Sequence, residues 1–101
     1  MGLHLTVPAE ISKAIGVILR GQRETVNGVL TTLRDELENR YDSHRKHRDY
    51  EDHNLFIYML TAISTDGTWH HLQFSVDDSM ATGYLLITSV DEIGKGKFPG
   101  Q

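Results

Sequence analysis

Six histidines are the residues of this chain best suited to chemistry, because imidazole binds metal ions and exchanges protons near neutral pH. His44 and His47 are three apart, so a helix would turn both toward one ion, with His53 or Asp52 as a further ligand. The spacing fixes no third ligand, and a solvated charged segment accounts for the same residues. The sequence therefore predicts neither a metal site nor a cofactor.

The adjacent His70 and His71 lie in a β-rich run, where neighbouring side chains point to opposite faces. We expect His70 at the edge of the core and His71 beside Trp69 on the other face. Asp77-Asp78 is typical of a turn at a strand exit. No nucleophile, base and orienting acid stand at a spacing that predicts a catalytic set. The sequence therefore predicts no enzyme.

The stretch from Leu3 to Leu37 contains the first elements that must position these residues. Residues 3–7 alternate apolar and polar side chains, which predicts a half-buried strand. Pro8-Ala9-Glu10 suits a helix start, and apolar residues then recur at helical spacing on both sides of the polar gap 20–24. Thr25 ends the gap and is expected to cap a second helix.

In this order of strand, Pro-x-Glu, helix, polar break, Thr cap and helix, the first third of the chain resembles the ribbon-helix-helix family of DNA-binding regulators. The resemblance implies a homodimer whose two first strands pair antiparallel and enter the major groove. It implies that His4 and Thr6 read base edges. The amides after Thr25 would bind a phosphate, and Arg20 and Arg23 would attract the duplex.

A second interpretation of the same residues is one uninterrupted helix from Pro8 to about Arg45, since the apolar stripe also fits a single helical face. Such a helix would be ~55 Å long, too long for a small domain to cover alone. Both interpretations therefore predict self-association, as a homodimer or a higher homo-oligomer.

A β-hairpin is predicted in residues 54–76, where two β-rich runs flank Asp66-Gly67. A two-residue turn at this dipeptide pairs Ile63 with His70 and Met59 with Phe74. The expected buried face then holds Ile57, Met59, Ile63, Leu72, Phe74 and Val76. The opposite face carries the aromatic residues Tyr58 and Trp69 together with His71. Two roles are predicted equally for it: binding a partner protein, or forming a second core layer against the helices of a dimer partner.

A third strand is predicted for residues 84–90, central in the sheet because it is apolar on both sides. The predicted fold is therefore α+β: a strand and two helices, or one long helix, followed by a three-stranded antiparallel meander. A single domain is expected, with a dimerisation part at 1–40, a charged connector at 41–53, the meander at 54–91 and a flexible glycine-rich tail at 92–101.

Composition limits the classes of function. The net charge of −4 argues against tight non-specific nucleic-acid binding, although residues 1–34 carry a net +2. The chain has no cysteine, which fits a reducing cytoplasm. No apolar run is long enough to span a membrane, and no signal-peptide pattern is visible.

Two functions are thus predicted from the sequence. The first is a cytoplasmic, homodimeric transcription regulator that binds DNA. The second is a protein-binding inhibitor or adaptor, of the immunity or phage anti-defence type, acting through its sheet face.

Overall fold

Helices and strands both contribute to the fold of this chain, for which a computed structural model describes residues 4–39, 55–78 and 83–97. The elements follow in the order β1 (His4–Thr6), α1 (Ala9–Ile18), α2 (Arg23–Asn39), β2 (Leu55–Ile63), β3 (Thr68–Asp77) and β4 (Tyr84–Lys97). Side chains from both helices and from all four strands form one core cluster. The mixed α+β class predicted from the sequence is confirmed.

The four strands form one mixed sheet in the order β1-β4-β3-β2. Strands β2, β3 and β4 are antiparallel neighbours, whereas β1 lies parallel to β4 and pairs with residues 84–86. The predicted three-stranded meander is therefore incomplete, because the first strand is a fourth member of the sheet. Strand β4 is central, as its apolar character on both sides predicts.

The helical region contains a sharp break, which rules out the single-helix interpretation. Arg20 and Gly21 adopt positive φ angles of 55° and 71°. The Gly21 N–H donates to Gly16 O at 2.8 Å, and the Arg20 N–H donates to Val17 O at 3.2 Å. These two bonds form a Schellman motif, which ends an α-helix. The prediction of two helices is confirmed, and that of one continuous helix is wrong.

Helix α2 begins two residues before the cap that the sequence indicates. The Val26 N–H donates to Gln22 O at 2.9 Å, so Gln22 is the N-cap residue. Thr25 lies inside the first turn, where its hydroxyl donates to Gln22 Oε1 at 3.4 Å. The prediction that Thr25 caps the helix is wrong, because its hydroxyl bonds to the side chain of the residue that does.

The β2–β3 hairpin has a three-residue loop instead of the expected two-residue turn. The Ser64 N–H donates to Thr68 O at 2.8 Å, and the Gly67 N–H donates to Ser64 O at 3.0 Å. Only Gly67 has a positive φ in this loop, at 86°, whereas a type I′ turn needs two such residues. The register is therefore shifted by one residue, and Ile63 pairs with Trp69.

This one-residue shift reverses the faces of β2, because successive side chains of a strand point to opposite sides. Tyr58 and Ala62 are buried, while Met59 and Ile63 are 62% and 56% exposed. The faces of β3 agree with the prediction, and its buried apolar residues are Leu72, Phe74 and Val76.

Strand β4 runs to Lys97, so residues 92–97 are strand and not the start of a flexible tail. Its pairing with β3 shifts register twice, between His71 and Leu72 and between Ser75 and Val76. The predicted connector at 41–53 and the residues after 97 lie outside the described ranges.

Candidate functional site: the outer face of the sheet

The sheet has a core face, which packs on the helices, and an outer face turned away from them. Alternation along β3 places Trp69, His71 and Gln73 on the outer face between buried core residues. Pairing with β2 and β4 adds Met59, Thr61, Ile63, Asp91, Gly94 and Gly96 to this face. We call this surface the outer face below.

Two glycines of β4 allow the outer-face rings to lie close to the backbone. A Cβ atom built on Gly96 would stand 2.6 Å from the Trp69 ring, and one built on Gly94 would stand 3.2 Å from the His71 ring. Any other residue at position 96 would therefore have to displace the indole. The alternating Gly-Lys-Gly-Lys sequence thus leaves space for these rings beside β4.

Trp69 and His71 form a stacked pair on the outer face. Their ring centroids are 4.5 Å apart, and the planes are inclined by 36°. His71 is also held from the neighbouring strand, because its Nδ1 lies 2.7 Å from Thr61 Oγ1. A hydrogen bond to Thr61 of β2 therefore fixes His71, and both rings pack on the glycine backbone of β4.

Exposed apolar side chains surround this pair. Met59, Ile63 and Ile93 are all more than half exposed. Met59, Thr61, His71 and Ile93 line a shallow cavity of about 320 Å³. Large apolar side chains gathered on one face of a small protein are characteristic of a binding surface, since exposing them to water is unfavourable.

The three residues predicted to bind a partner do not share a face. Trp69 and His71 lie on the outer face, but Tyr58 is 9% exposed and belongs to the core. Burial, and secondly the negative charge of Glu36, raise the pKa of the Tyr58 phenol above its ordinary value. The prediction that Tyr58 shares the exposed face of Trp69 and His71 is wrong. Met59, Ile63 and Ile93 are exposed there instead, and the correct hairpin register would have identified the first two.

The residues predicted to contact DNA lie at two separate places. His4 and Thr6 are exposed on β1, beside the beginning of β4, where His4 makes an edge contact with Tyr84 at 5.7 Å. Arg20 lies near the other end of β4, because it lines a cavity together with Lys95 and Lys97.

Arg23 and Thr25 lie in the first turn of α2, Arg23 exposed and Thr25 partly buried. The five residues predicted to contact DNA therefore lie on β1, at the end of α1 and in the first turn of α2.

Both edges of β1 are occupied within the chain. On one side, the His4 N–H donates to Gly83 O at 2.8 Å. On the other side, the Leu5 N–H donates to Glu38 Oε2, and Arg34 donates to Leu5 O, both at 2.8 Å. These side chains of α2 occupy the hydrogen-bonding groups that a second β1 strand would need. We call this pair of contacts the α2 clamp.

The histidine pair His44 and His47, with Asp52 and His53, lies outside the described residues. Within the described ranges, no group of three potential ligands could hold a metal ion. In the same part of the chain, no helix has the length and hydrophobicity needed to cross a membrane.

Comparison of the chain with protein-family models, with curated proteins and with solved structures finds no match.

Proposed function

We propose that this protein is a protein-binding module, an inhibitor or adaptor that contacts its partner through the outer face. The observation that carries the proposal is the cluster of exposed Met59, Ile63 and Ile93 around the stacked Trp69 and His71. Aromatic residues and methionine are enriched in protein interfaces, and tryptophan contributes strongly to binding energy.

The charges of the chain indicate the chemistry of the partner. Asp91 is exposed on the outer face, and the whole chain carries a net charge of −4. A complementary partner surface has an apolar centre and a basic rim, since opposite charges accelerate association. An acidic chain that blocks a basic, nucleic-acid-binding partner fits the immunity or phage anti-defence type of inhibitor. Its lack of cysteine suits action in a reducing cytoplasm.

The proposed assembly includes a homodimer formed through β2 instead of β1. Among the described strands, β2 is an edge of the sheet, and its nine residues include no charged residue and no proline. Natural edge strands usually carry such residues to prevent pairing. Because the Ser64 N–H points toward β3, strand alternation directs the N–H groups of Met59, Thr61 and Ile63 to the free edge. Two copies can pair there antiparallel.

Replacing Met59 with proline tests this dimer. Proline removes a free-edge donor and leaves the β2–β3 bonds in place. We expect a concentration-dependent wild-type dimer in light scattering and at least ~10-fold weaker association of Met59→Pro. A wild-type protein that stays monomeric at the highest soluble concentration would contradict the dimer.

The DNA-binding prediction receives less support. It requires two β1 strands to pair, whereas β1 lies between β4 and the α2 clamp. The acidic net charge also disfavours phosphate contact. DNA binding therefore stays a prediction, and protein binding is the function that the geometry supports best.

Site-specific photo-crosslinking in the native cell tests the proposed function. Benzoylphenylalanine replaces Ile63 on the outer face, or Val17 as a matched control. Val17 is an apolar residue of α1 that is 79% exposed, so it controls for unspecific hydrophobic contact. We expect position 63 to give a discrete covalent adduct with one protein, identified by mass spectrometry, and position 17 to give none.

A second variant distinguishes specific contact at the outer face from unspecific hydrophobic contact. Adding Trp69→Ala to the crosslinker at position 63 should abolish the adduct while the circular dichroism spectrum is retained. Equal adducts at positions 63 and 17, or an adduct that survives Trp69→Ala, would contradict the proposal.

A further inference from the structure

Three polar side chains form a continuous hydrogen-bonded chain on the core face of the sheet. Ser64 Oγ lies 3.0 Å from His70 Nε2, and His70 Nδ1 lies 2.6 Å from Glu92 Oε2. Ser64 is 5% exposed and His70 is 4% exposed. With the Glu92 carboxylate as acceptor, Nδ1 donates, and in the neutral tautomer that carries this proton Nε2 accepts from the serine hydroxyl. We call these three residues the Ser-His-Glu relay.

Chain topology explains why sequence spacing does not reveal this relay. The three-residue hairpin loop places Ser64 opposite Thr68, two residues before His70. His70 pairs with Lys95, and Leu72 pairs with Glu92. The bulge at Ile93 separates these pairs and brings the Glu92 carboxylate diagonally toward the imidazole. Hairpin register and a bulge thus assemble residues from three elements.

The relay borders a cavity of about 260 Å³, and three of its nine lining residues are lysine or arginine. Ser64 and His70 line it together with Arg20, Lys95 and Lys97. Within the described residues, none of these three cations forms an ion pair. Asp66 is the one carboxylate among the lining residues, and hydrogen bonds from Thr68 lower its pKa. The cavity is therefore small and carries a positive balance of charge.

We infer that the Ser-His-Glu relay makes Ser64 a nucleophile for small carboxylic esters that carry a negative charge. The arrangement matches the roles of a serine, histidine and acid triad, and the three cations provide charge stabilisation for an anionic substrate. Hydrogen bonds to both nitrogens also satisfy a buried histidine, so the test must measure reactivity of the serine and not only stability.

The reaction balances with water as the only co-reactant. Ser64 Oγ adds to the ester carbonyl carbon while its proton passes to His70 Nε2. The alkoxide leaves as the C–O bond breaks and takes that proton, giving a free alcohol and an acyl ester on Ser64. Water then adds with its proton passing to Nε2, and Ser64 Oγ leaves and regains the proton. Ester and water thus become acid and alcohol.

A fluorophosphonate reagent tests the nucleophile on the full chain, because it phosphonylates only activated serines. Intact-mass and peptide analysis should find one adduct on the wild type, located at Ser64. Ser64→Ala should lose the adduct, and Glu92→Gln should label about 100-fold more slowly or worse. Ser12→Ala removes a serine of α1 and should label like the wild type.

Two results would overturn the assignment of Ser64 as a nucleophile activated by His70 and Glu92. One is a folded wild type with no adduct at Ser64 after prolonged exposure. The other is unchanged labelling of Ser64 in folded Glu92→Gln, whose near-isosteric amide keeps the packing. Circular dichroism confirms folding of each variant.

Millimolar inorganic phosphate tests the substrate class in the same assay. Phosphate that occupies the basic cavity should slow labelling of the wild type, and Lys95→Gln should lessen this protection. Labelling that phosphate does not change would overturn the assignment of anionic substrates.

Discussion

Two glycines of β4 determine how the rings of the outer face are arranged. A Cβ atom at position 96 would overlap the Trp69 ring, and one at position 94 would press on the His71 ring. Since the rings fill space that side chains of β4 would otherwise occupy, the proposed binding surface depends on residues that have no side chain to contact a partner.

Gly96→Ala is expected to displace the indole and destabilise the protein by about 1–3 kcal/mol, because the new methyl group would overlap the Trp69 ring. Trp69 is the only tryptophan of the chain, so its fluorescence reports the displacement directly. Gly28→Ala in α2 is the control, since its Cβ meets no atom within 4 Å. It should stabilise the helix by up to about 1 kcal/mol. Unchanged fluorescence in Gly96→Ala would contradict this packing.

Tyr58 makes the free energy of unfolding depend on pH in the alkaline range. Burial raises its pKa in the folded protein, so the unfolded chain loses this proton first as the pH rises. The contribution of Tyr58 to the free energy of unfolding is fully present below pH 10 and is lost as the pH rises from there toward the pKa of the folded protein. The loss has a slope of at most about 1.4 kcal/mol per pH unit. Chemical denaturation at several pH values should show a steeper loss for the wild type than for Tyr58→Phe. Parallel losses would contradict the assignment.

At the level of elements, the α2 clamp attaches β1 to the rest of the fold. Strand β1 has only three residues, so few main-chain bonds hold it to β4. Glu38 and Arg34 complete the hydrogen bonding of Leu5, whose side chain is 1% exposed. The clamp thus replaces the neighbouring strand that β1 lacks.

Glu38→Ala should leave the Leu5 N–H without an acceptor and cost about 1–3 kcal/mol. Hydrogen exchange of the Leu5 amide should accelerate by the corresponding factor. Asp35→Ala is the matched control in α2, because Asp35 bonds the Asn39 side chain on an exposed surface. It should change stability by less than about 0.5 kcal/mol. Equal effects of the two substitutions would contradict the role of the clamp.

Local patterns in the sequence predict the elements better than their pairing. The hairpin strands and the central position of β4 follow from periodicity and from Asp66-Gly67, whereas the apolar spacing of the helical region fits one helix as well as two. The hairpin register does not follow, because Asp66-Gly67 suits both a two-residue and a three-residue loop. That ambiguity exchanged Tyr58 for Met59 and Ile63 on the outer face, and together with the bulge in the β3–β4 pairing it hid the relay. The β1–β4 pairing joins residues about 80 positions apart, for which no local signal exists.

At the level of the whole molecule, the two functions predicted from the sequence require different positions of β1. A β1 strand shared between two copies would form a ribbon for the major groove. A β1 strand that pairs with β4 of its own chain forms no such ribbon, and the outer face is then the surface proposed for a partner. The net charge of −4 favours the second arrangement, because phosphate contact relies on lysine and arginine.

Isotope-filtered NMR on a mixed sample of labelled and unlabelled chains tests this placement most directly. We expect nuclear Overhauser effects between Leu5 and Leu85 within one chain, as the parallel register requires, and none between the β1 strands of different copies. Intermolecular contacts from one Leu5 to the Leu5 of another copy would contradict the pairing of β1 with β4 of its own chain and would support the DNA-binding ribbon.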